Sequence, residues 1–341
     1  MRNRRLPSRS HGFVLILVLC TVMLLTALVL GFNRLARASL QTADGLARSA
    51  QALCCARSGM AAAAAMIRSG QEDSNESPGR RAVEGETSID LGVGTCRMEL
   101  SDEQGKLDLN RLTDPNGRPD RTRIDQILRL IDLTNRDDRG EPIGYGIVPA
   151  IIDWIDSDDR TTCLDFITRE NTGAESDAYQ GLPSPYRCAN KPLQSPEELL
   201  LVRGITAQVY RRLAPYVTVY GDALVCLNTA PQRVIESLCE QMDPALAQVI
   251  VARRQVRPFE SLDEIRQVPG MADSIYQRIR RMVTVQPAGC YYRLRATGQV
   301  GNVSRTVSAI LRRNTGDGTV DIVRYTEDRT QNPEPRTQKG L

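Results

Sequence analysis

A run of uncharged residues near the N-terminus constrains this 341-residue chain more than any other feature. Residues 13–32 begin at Phe13, end at Phe32 and contain no charged side chain. At the α-helical rise of about 1.5 Å per residue, a run of this length matches a bilayer core about 30 Å thick. The run therefore predicts one transmembrane helix, with most of the chain on one side of a membrane.

The residues before this run are basic and fix the predicted orientation. Residues 1–12 carry four arginines: Arg2, Arg4, Arg5 and Arg9. Positive charge beside a transmembrane helix stays in the cytoplasm, so we expect the N-terminus there and the bulk of the chain across the membrane. Without these four arginines the formal net charge of +3 becomes −1. This balance gives no electrostatic reason to expect nucleic acid as the main partner.

Three interpretations of the N-terminal segment compete: a cleaved secretory signal, a plain membrane anchor, and a pilin-type leader. A secretory signal has an apolar core of only about 7–15 residues, followed by a small-residue cleavage site. Here the apolar run is longer, and an alanine-rich helical pattern continues to about Arg68. A plain anchor does not need this continuation. The pattern therefore favours the pilin-type leader and predicts a helix from Phe13 to about Arg68.

The junction of leader and helix resembles the class III signal of type IV pilins and pseudopilins. In those families the basic leader ends in glycine, here Gly12, and an apolar helix starts with phenylalanine, here Phe13. The resemblance implies that a prepilin peptidase cuts after Gly12 and methylates the new N-terminus at Phe13. Most pilins have glutamate at the fifth mature position, where this chain has Leu17. Because that glutamate is thought to pair with a neighbour's amine, its absence suggests a subunit at the filament tip.

The rest of the chain predicts strands on both sides of a long helical region. Residues 95–100 and 106–112 alternate and predict a β-hairpin, and residues 290–295, 304–312 and 319–325 predict further strands. A long helix followed by antiparallel strands predicts an α+β, pilin-like fold with a large inserted, mainly helical domain. The predicted divisions are a cleaved leader 1–12, a transmembrane half-helix 13–32, a second half-helix 33–70, the first part of the sheet 71–115, the inserted domain 116–285, the last strands 286–325 and a disordered tail 326–341.

The predicted inserted domain contains an internal repeat. Residues 195–219 and 261–285 match at a constant offset of 66, with nine of 25 positions identical. Each copy predicts a short helix, a glycine turn and a second amphipathic helix. Ser195 with Glu198, and Ser261 with Glu264, predict a capping box at each first helix.

The repeat resembles helix-hairpin-helix modules, including those of DNA-uptake proteins. That resemblance implies a rival function, a membrane-anchored DNA-binding protein. The second hairpin carries the acidic Asp273, which would repel phosphate, although Arg280 and Arg281 follow it. We therefore favour a structural scaffold and expect no nucleic-acid partner.

Closely spaced acidic residues form the one segment that suggests chemistry. They lie in 153–159, with a second acidic group in 175–177. Oxygen ligands of this kind suit Ca²⁺, but the spacing is not that of an EF-hand. From the residues alone, a calcium site and a solvated acidic loop are equally good interpretations. With His11 as the one histidine and no nucleophile elbow, the sequence predicts no enzyme.

Five motifs in one order resemble the minor pseudopilin K family of type II secretion systems. They are Asp-Glu-Gln-Gly-Lys-Leu-Asp-Leu-Asn (102–110), Asp-Trp-Ile-Asp-Ser-Asp-Asp (153–159), Gly-Ala-Glu-Ser-Asp-Ala-Tyr (173–179), Pro-Tyr-Arg-Cys-Ala-Asn-Lys-Pro-Leu (185–193) and Glu-Leu-Leu-Leu-Val-Arg-Gly-Ile (198–205). With the leader, the resemblance spans about residues 8–325.

This resemblance implies a subunit at the tip of the secretion pseudopilus, in the bacterial inner membrane with most of the chain in the periplasm. Its implied partners are other minor pseudopilins, the major pseudopilin, the prepilin peptidase and the inner-membrane secretion platform. It also implies bound Ca²⁺. As a group, the implied metal ligands are Asp153, Asp156, Asp158, Asp159, Glu175 and Asp177.

Overall fold

The computed structural model describes residues 10–69, 86–137, 140–221, 223–285, 290–314 and 318–328. Its first element is one continuous helix, α1 (Ser10–Ser69). This helix confirms the prediction of an unbroken helix through and beyond the apolar run. The predicted leader up to residue 9, most of the predicted loop 71–89 and residues 329–341 of the predicted disordered tail 326–341 lie outside the described residues. Residues 326–328 belong to the last strand of the sheet, so the prediction of disorder is wrong there.

A five-stranded antiparallel sheet follows, in the spatial order β1-β2-β7-β8-β9. Its strands are β1 (Glu86–Asp90), β2 (Thr95–Asp102), β7 (Cys290–Val300), β8 (Val303–Arg313) and β9 (Val320–Asp328). Two short parallel pairs lie outside it: β3 (Leu107–Asp108) with β4 (Val217–Thr218), and β5 (Val225–Cys226) with β6 (Val283–Thr284). The long helix, the antiparallel sheet and the helices between its strands confirm the predicted α+β class.

The predicted hairpin between residues 95–100 and 106–112 is wrong. Strand β2 forms its hairpin with β1, whereas β3 pairs in parallel with β4. The alternation after Lys106 arises because Leu107, Leu109 and Leu112 are all buried, although a 3₁₀ helix (Leu109–Arg111) begins directly after β3. The inserted region accordingly begins near residue 103, and not at 116.

One face of α1 packs on the sheet and fixes the direction of the sheet relative to the helix. Cys55 lies beside Gly94, and one turn later Gly59 lies beside Cys96 and Met98. Helix α1 and strand β2 therefore run in the same direction. Both lead toward the point where β2 ends and the inserted region begins. The side chains of residues 13–32, at the other end of α1, are exposed.

The inserted region consists mainly of short helices around one hydrophobic core. Besides the first 3₁₀ helix it contains α2 (Arg121–Asp137), α3 (Ile147–Ile155), α4 (Ser176–Gln180), a second 3₁₀ helix (Pro196–Leu201), α5 (Ala207–Leu213), α6 (Gln232–Ser237), α7 (Pro244–Val256), α8 (Leu262–Arg266) and α9 (Asp273–Ile279). This part of the chain matches the prediction of a mainly helical insertion.

The repeat read from the sequence has the same order of elements in both copies, although its first helix is a 3₁₀ helix in the first copy and the α-helix α8 in the second. Helices α5 and α9 begin 66 residues apart, and so do strands β4 and β6. The turn before each second helix uses Gly204 or Gly270, with φ of 85° and 90°. Side chains rarely tolerate these angles, which explains a glycine at both positions.

The predicted capping boxes are wrong in detail. Neither Ser195 nor Ser261 makes a side-chain bond that caps its helix. Glu198 Oε1 instead accepts a hydrogen bond from the N–H of Gln194, at 3.1 Å. Glu264 makes the same kind of bond with the N–H of Glu260, at 3.4 Å. In both copies the glutamate therefore secures the residue before the serine.

An asparagine closes each copy in the same way. Asn110 Nδ2 donates to the carbonyls of Leu193 and Val219, at 3.0 and 3.2 Å, and its Oδ1 accepts from the N–H of Leu193. The second copy repeats all three bonds, with Asn228 bonded to Phe259 and Val285. The duplication therefore includes the strands β3 and β5, which precede the two asparagines.

The sheet and the inserted region meet at Glu103, which is 0% exposed. Its Oε1 accepts hydrogen bonds from Lys106 Nζ at 2.6 Å and Arg293 Nε at 2.9 Å, and its Oε2 accepts one from Thr218 Oγ1 at 2.6 Å. Burial by itself would raise the pKa of Glu103, but Lys106 and Arg293 hold that pKa below its ordinary value. The carboxylate thus joins β7 of the sheet to β4 of the first repeat.

We expect Glu103→Ala to lower the free energy of unfolding by about 3 kcal/mol, because it leaves Lys106 and Arg293 without their buried counter-charge. Chemical denaturation of the full chain in detergent micelles measures this change. The matched control is Glu99→Ala, which removes an exposed carboxylate from β2, the strand that leads to Glu103, and should cost about 0.5 kcal/mol or less. Equal losses in both variants would contradict the role given to Glu103.

Candidate metal centre

Three acidic residues predicted from the sequence meet at the end of α3. Every residue of this helix is buried, so Asp153 in its last turn lies inside the protein. Asp156 follows the helix directly, and its N–H donates to the carbonyl of Ile152. Glu175 arrives from a distant part of the chain, as the residue that precedes α4.

The three carboxylates are close together, and four of their oxygens have no hydrogen-bond partner among the described residues. Their nearest oxygens all lie within 4.8 Å of one another. Asp153, Asp156 and Glu175 are 0%, 8% and 7% exposed. Asp153 Oδ2, Asp156 Oδ1 and both carboxylate oxygens of Glu175 are buried without a hydrogen-bond partner. Buried polar atoms normally find partners, so this group needs a physical explanation.

Proton affinity at the group is raised by burial and by like charge. Burial raises the pKa of Asp153 above its ordinary value. Burial and then the neighbouring charges of Asp153 and Asp158 raise the pKa of Asp156 to about 7. Burial and the charge of Asp153 raise the pKa of Glu175 to about 7 as well. The C-terminal end of α3 adds partial negative charge, so a cation would be stabilised here.

Backbone groups hold the acidic residues in place. The N–H of Thr162 donates to Asp153 Oδ1 at 2.8 Å, and the thiol of Cys188 donates to the Asp153 carbonyl at 3.2 Å. Gly173 passes so close that a Cβ on it would lie 2.1 Å from Asp153 Oδ2. Glycine at this position therefore allows the segment before Glu175 to reach the group.

The other predicted ligands lie around this group and not within it. Asp158 Oδ1 accepts from the N–H of Arg160, and Asp159 Oδ1 accepts from Asn190 Nδ2 at 3.0 Å. Both side chains are exposed, and their charges add to the raised pKa of Glu175. Asp177 is exposed in the first turn of α4.

The chemistry of the three carboxylates fits a hard divalent cation. Ca²⁺ binds six to eight oxygens at about 2.3–2.6 Å, so two of its ligand atoms lie no more than about 5 Å apart. The oxygens of Asp153, Asp156 and Glu175 satisfy this limit. The group contains no histidine or cysteine, the ligand types that softer metals prefer.

Comparison with known families identifies the chain's relatives. Two family models, both described as type II secretion system protein K, match residues 105–222 and 227–286. Together these matches cover just over half of the chain. The chain belongs to the type II secretion system protein K family. The boundary between the two matches falls between the two repeats, next to Val225 of β5.

Individual relatives agree with this assignment. Type II secretion system protein K of Klebsiella pneumoniae is 28% identical over 257 residues, which are 72% of this chain and 74% of that protein. The Pectobacterium carotovorum and Pseudomonas aeruginosa proteins are 30% and 29% identical, over about half of this chain. The chain spans about half the length of these two relatives, 50% and 48%.

A solved structure has the same fold. One chain in the crystal structure of the GspK-GspI-GspJ complex of enterotoxigenic Escherichia coli matches with a TM-score of 0.59. The match covers 86% of this chain and 99% of that chain, at 21% identity. This likeness confirms the predicted pilin-like α+β fold.

These comparisons confirm the resemblance to the K family and do not favour the alternative of a DNA-uptake protein. The family consists of structural pseudopilins and is not a known enzyme family. The helix-hairpin-helix interpretation of the repeat, the bound Ca²⁺ and its six ligands stay predictions.

The structure adds residues that sequence reasoning missed. Thr162 and Asn190 bond to acidic residues, and Arg203 bonds to the carbonyls just before Glu175, yet none of the three is acidic. Asn190 and Arg203 lie within two motifs that carried the family resemblance, 185–193 and 198–205. Those motifs were therefore the available signal, but they did not reveal which residues the side chains contact.

Without metal, the stability of the chain should fall as pH rises. The folded-state pKa values of Asp156 and Glu175 are about 7, above the ordinary carboxyl values of about 4 in the unfolded chain. The folded protein then holds more protons between these values, so its free energy of unfolding decreases as pH rises through about 7. We expect a lower melting temperature at about pH 8 than at about pH 5, in a chelator and in detergent micelles.

The double variant Asp156→Asn/Glu175→Gln is the control for this measurement. It removes both titrating groups with little change in shape, so its melting temperature should depend less on pH. A pH dependence equal to that of the wild type would mean that these carboxyls are not the cause.

Proposed function

We propose that the chain is a minor pseudopilin at the tip of the type II secretion pseudopilus, where it helps to start pseudopilus assembly and protein export. Membership of the protein K family supports this role. The half of α1 at residues 13–32 suits a bilayer, since its side chains are exposed and uncharged and a helix satisfies its own backbone hydrogen bonds. In this proposal the N-terminus is cytoplasmic and the rest of the chain is periplasmic.

The main support for the tip position is the point at which the inserted region leaves the sheet. Strand β2 follows α1 away from the membrane-spanning half and ends at Asp102, where the inserted region begins. A region of this size at the far end of the subunit would obstruct another subunit stacked above it. Leu17 agrees with this position, because the apolar half of α1 offers no carboxylate to a neighbour's amine.

The proposed partners are two other minor pseudopilins. The structural neighbour comes from a complex of GspK with GspI and GspJ, and we extend that kind of assembly to this chain. Between the membrane and the sheet, α1 exposes Leu35, Leu40 and Leu46, each by more than two thirds. We assign this part of α1 to the interface. The same role implies contact with the major pseudopilin and the secretion platform, and cleavage by the prepilin peptidase between Gly12 and Phe13.

We expect Leu46→Glu to weaken co-purification with the companion minor pseudopilins by at least about tenfold. A charge buried at the interface without a partner costs more than about 1.4 kcal/mol. The measurement is quantitative pull-down of the full chain from detergent extracts of cells that express all three subunits. Leu200→Glu is the matched control, since it changes an exposed leucine of the inserted region and should leave association unchanged.

Two results would contradict the tip-subunit proposal. One is the absence of any complex between the wild type and the companion pseudopilins. The other is tight binding of duplex DNA at physiological salt, lost on replacing Arg280 and Arg281, which would point to the DNA-uptake alternative.

We also propose that Ca²⁺ is held by Asp153, Asp156 and Glu175, with Asp158, Asp159 and Asp177 as further candidates. The support is the set of buried oxygens without partners in the central three residues. When bound, the cation would neutralise these carboxylates. The residues themselves would then tie the end of α3 to the segment that precedes α4.

Calcium should raise the melting temperature of the wild type. With a dissociation constant on the order of 10 µM, free calcium of about 1 mM adds roughly 2.7 kcal/mol to stability. Asp156→Asn should abolish the rise, whereas Asp125→Asn, which removes an acidic group from the surface of α2, should keep it. Melting curves of the full chain in micelles, with and without calcium, test this, and an unchanged wild-type curve would contradict the site.

A further inference from the structure

Arg203 links the first repeat to the acidic group formed by Asp153, Asp156 and Glu175. It lies in the turn of that repeat, directly before Gly204, and its guanidinium points back toward the segment that carries Glu175. Arg203 Nη2 donates to the carbonyls of Thr172 and Gly173, at 2.8 and 2.6 Å. One side chain thus holds two consecutive peptide groups just before Glu175.

The segment that Arg203 holds has little freedom to move. The N–H of Gly173 donates to the carbonyl of Thr162 at 2.9 Å, and the N–H of Thr162 donates to Asp153 Oδ1. Gly173 also stands against Asp153 with no space for a side chain. Loss of the Arg203 bonds would release the carbonyls of Thr172 and Gly173. Glu175, two residues after Gly173, could then move away from Asp153.

Arg203 is itself held in place by an aromatic pair, Tyr179 and Trp154, next to the acidic group. Its backbone N–H donates to the hydroxyl of Tyr179 at 3.3 Å. Tyr179 is buried and meets Trp154 edge to face, with ring centroids 5.4 Å apart. Because Trp154 is the neighbour of Asp153 in α3, the position of Arg203 and that of the acidic group are set by the same packing.

We infer that Arg203 is a positioning residue for calcium binding. It holds Glu175 where its carboxylate faces those of Asp153 and Asp156, and it does so through the backbone. This inference rests on the calcium site proposed above. Arginine suits the task because its guanidinium is always charged and its Nη2 carries two hydrogens, one for each of the two carbonyls. Loss of a group that orients metal ligands typically weakens metal binding by about 10–100-fold.

The test compares calcium affinity in three forms of the full chain in detergent micelles. Isothermal titration with calcium chloride should give an affinity for Arg203→Met about 10–100-fold below that of the wild type. Arg211→Met is the matched control, because Arg211 Nε also donates to a backbone carbonyl, that of Ala207 in α5 at 3.2 Å. Its calcium affinity should equal that of the wild type.

Melting temperatures without metal separate positioning from general stability. A positioning role predicts that Arg203→Met loses much more calcium affinity than Arg211→Met, even where the metal-free melting temperatures are similar. If Arg203→Met does not fold, Arg203→Lys replaces it. Lysine keeps a charged donor but carries it on a more flexible stem, so the calcium affinity of this variant should fall between those of the wild type and the methionine variant.

The outcomes distinguish this inference from the calcium proposal. A wild type that does not bind calcium overturns the calcium site, and the role of Arg203 with it. A wild type that binds calcium, with Arg203→Met or the folded Arg203→Lys at unchanged affinity, overturns the role of Arg203 alone.

Discussion

Glu103 lies where three parts of the chain meet, and its carboxylate bonds to Lys106, to Arg293 of β7 and to Thr218 of β4. Removing one partner from a buried charged group costs several kcal/mol, so the sheet and the inserted region cannot separate without that loss. The next residue, Gln104, donates to the carbonyl of Tyr220 and accepts from the N–H of Cys226. One short buried segment therefore joins the sheet to both repeats.

The carboxylates of the acidic group are desolvated like that of Glu103, but their pKa values shift in the opposite direction. Glu103 is buried beside two cationic side chains, and its pKa is lowered. Asp156 and Glu175 are buried beside other carboxylates, and their pKa values are raised to about 7. Desolvation disfavours charge in both places, and what differs is whether the chain supplies the compensating cation. Among the described residues, no cationic side chain bonds to the three carboxylates; Arg203, whose charge acts to lower the pKa of Asp153, donates to backbone carbonyls instead. This is the physical basis for proposing that the cation comes from solution.

The two copies of the repeat differ in length, and the acidic group lies in the additional part of the longer copy. Asn110 and Asn228 make equivalent bonds, but 83 residues separate Asn110 from its partner Leu193, whereas 31 separate Asn228 from Phe259. The additional length in the first copy contains α3, α4 and the acidic residues. Its turn supplies Arg203, so the repeat provides the frame on which the additional segment is held. The second copy has the same turn with Pro269 in place of the arginine.

Features that depend on neighbouring residues could be predicted from the sequence. The continuous helix, the repeat and its glycine turns, and the two acidic segments follow from periodicity and composition, which act over a few residues. Three features depend on the packing of distant segments: β2 pairs with β1, β3 joins the inserted region, and three of the six acidic candidates, Asp153, Asp156 and Glu175, lie close together. The contact of Arg203 with the segment before Glu175 depends on the same packing. Alternation predicts a strand but not its partner, and a carboxylate's neighbours depend on which distant segments pack against it.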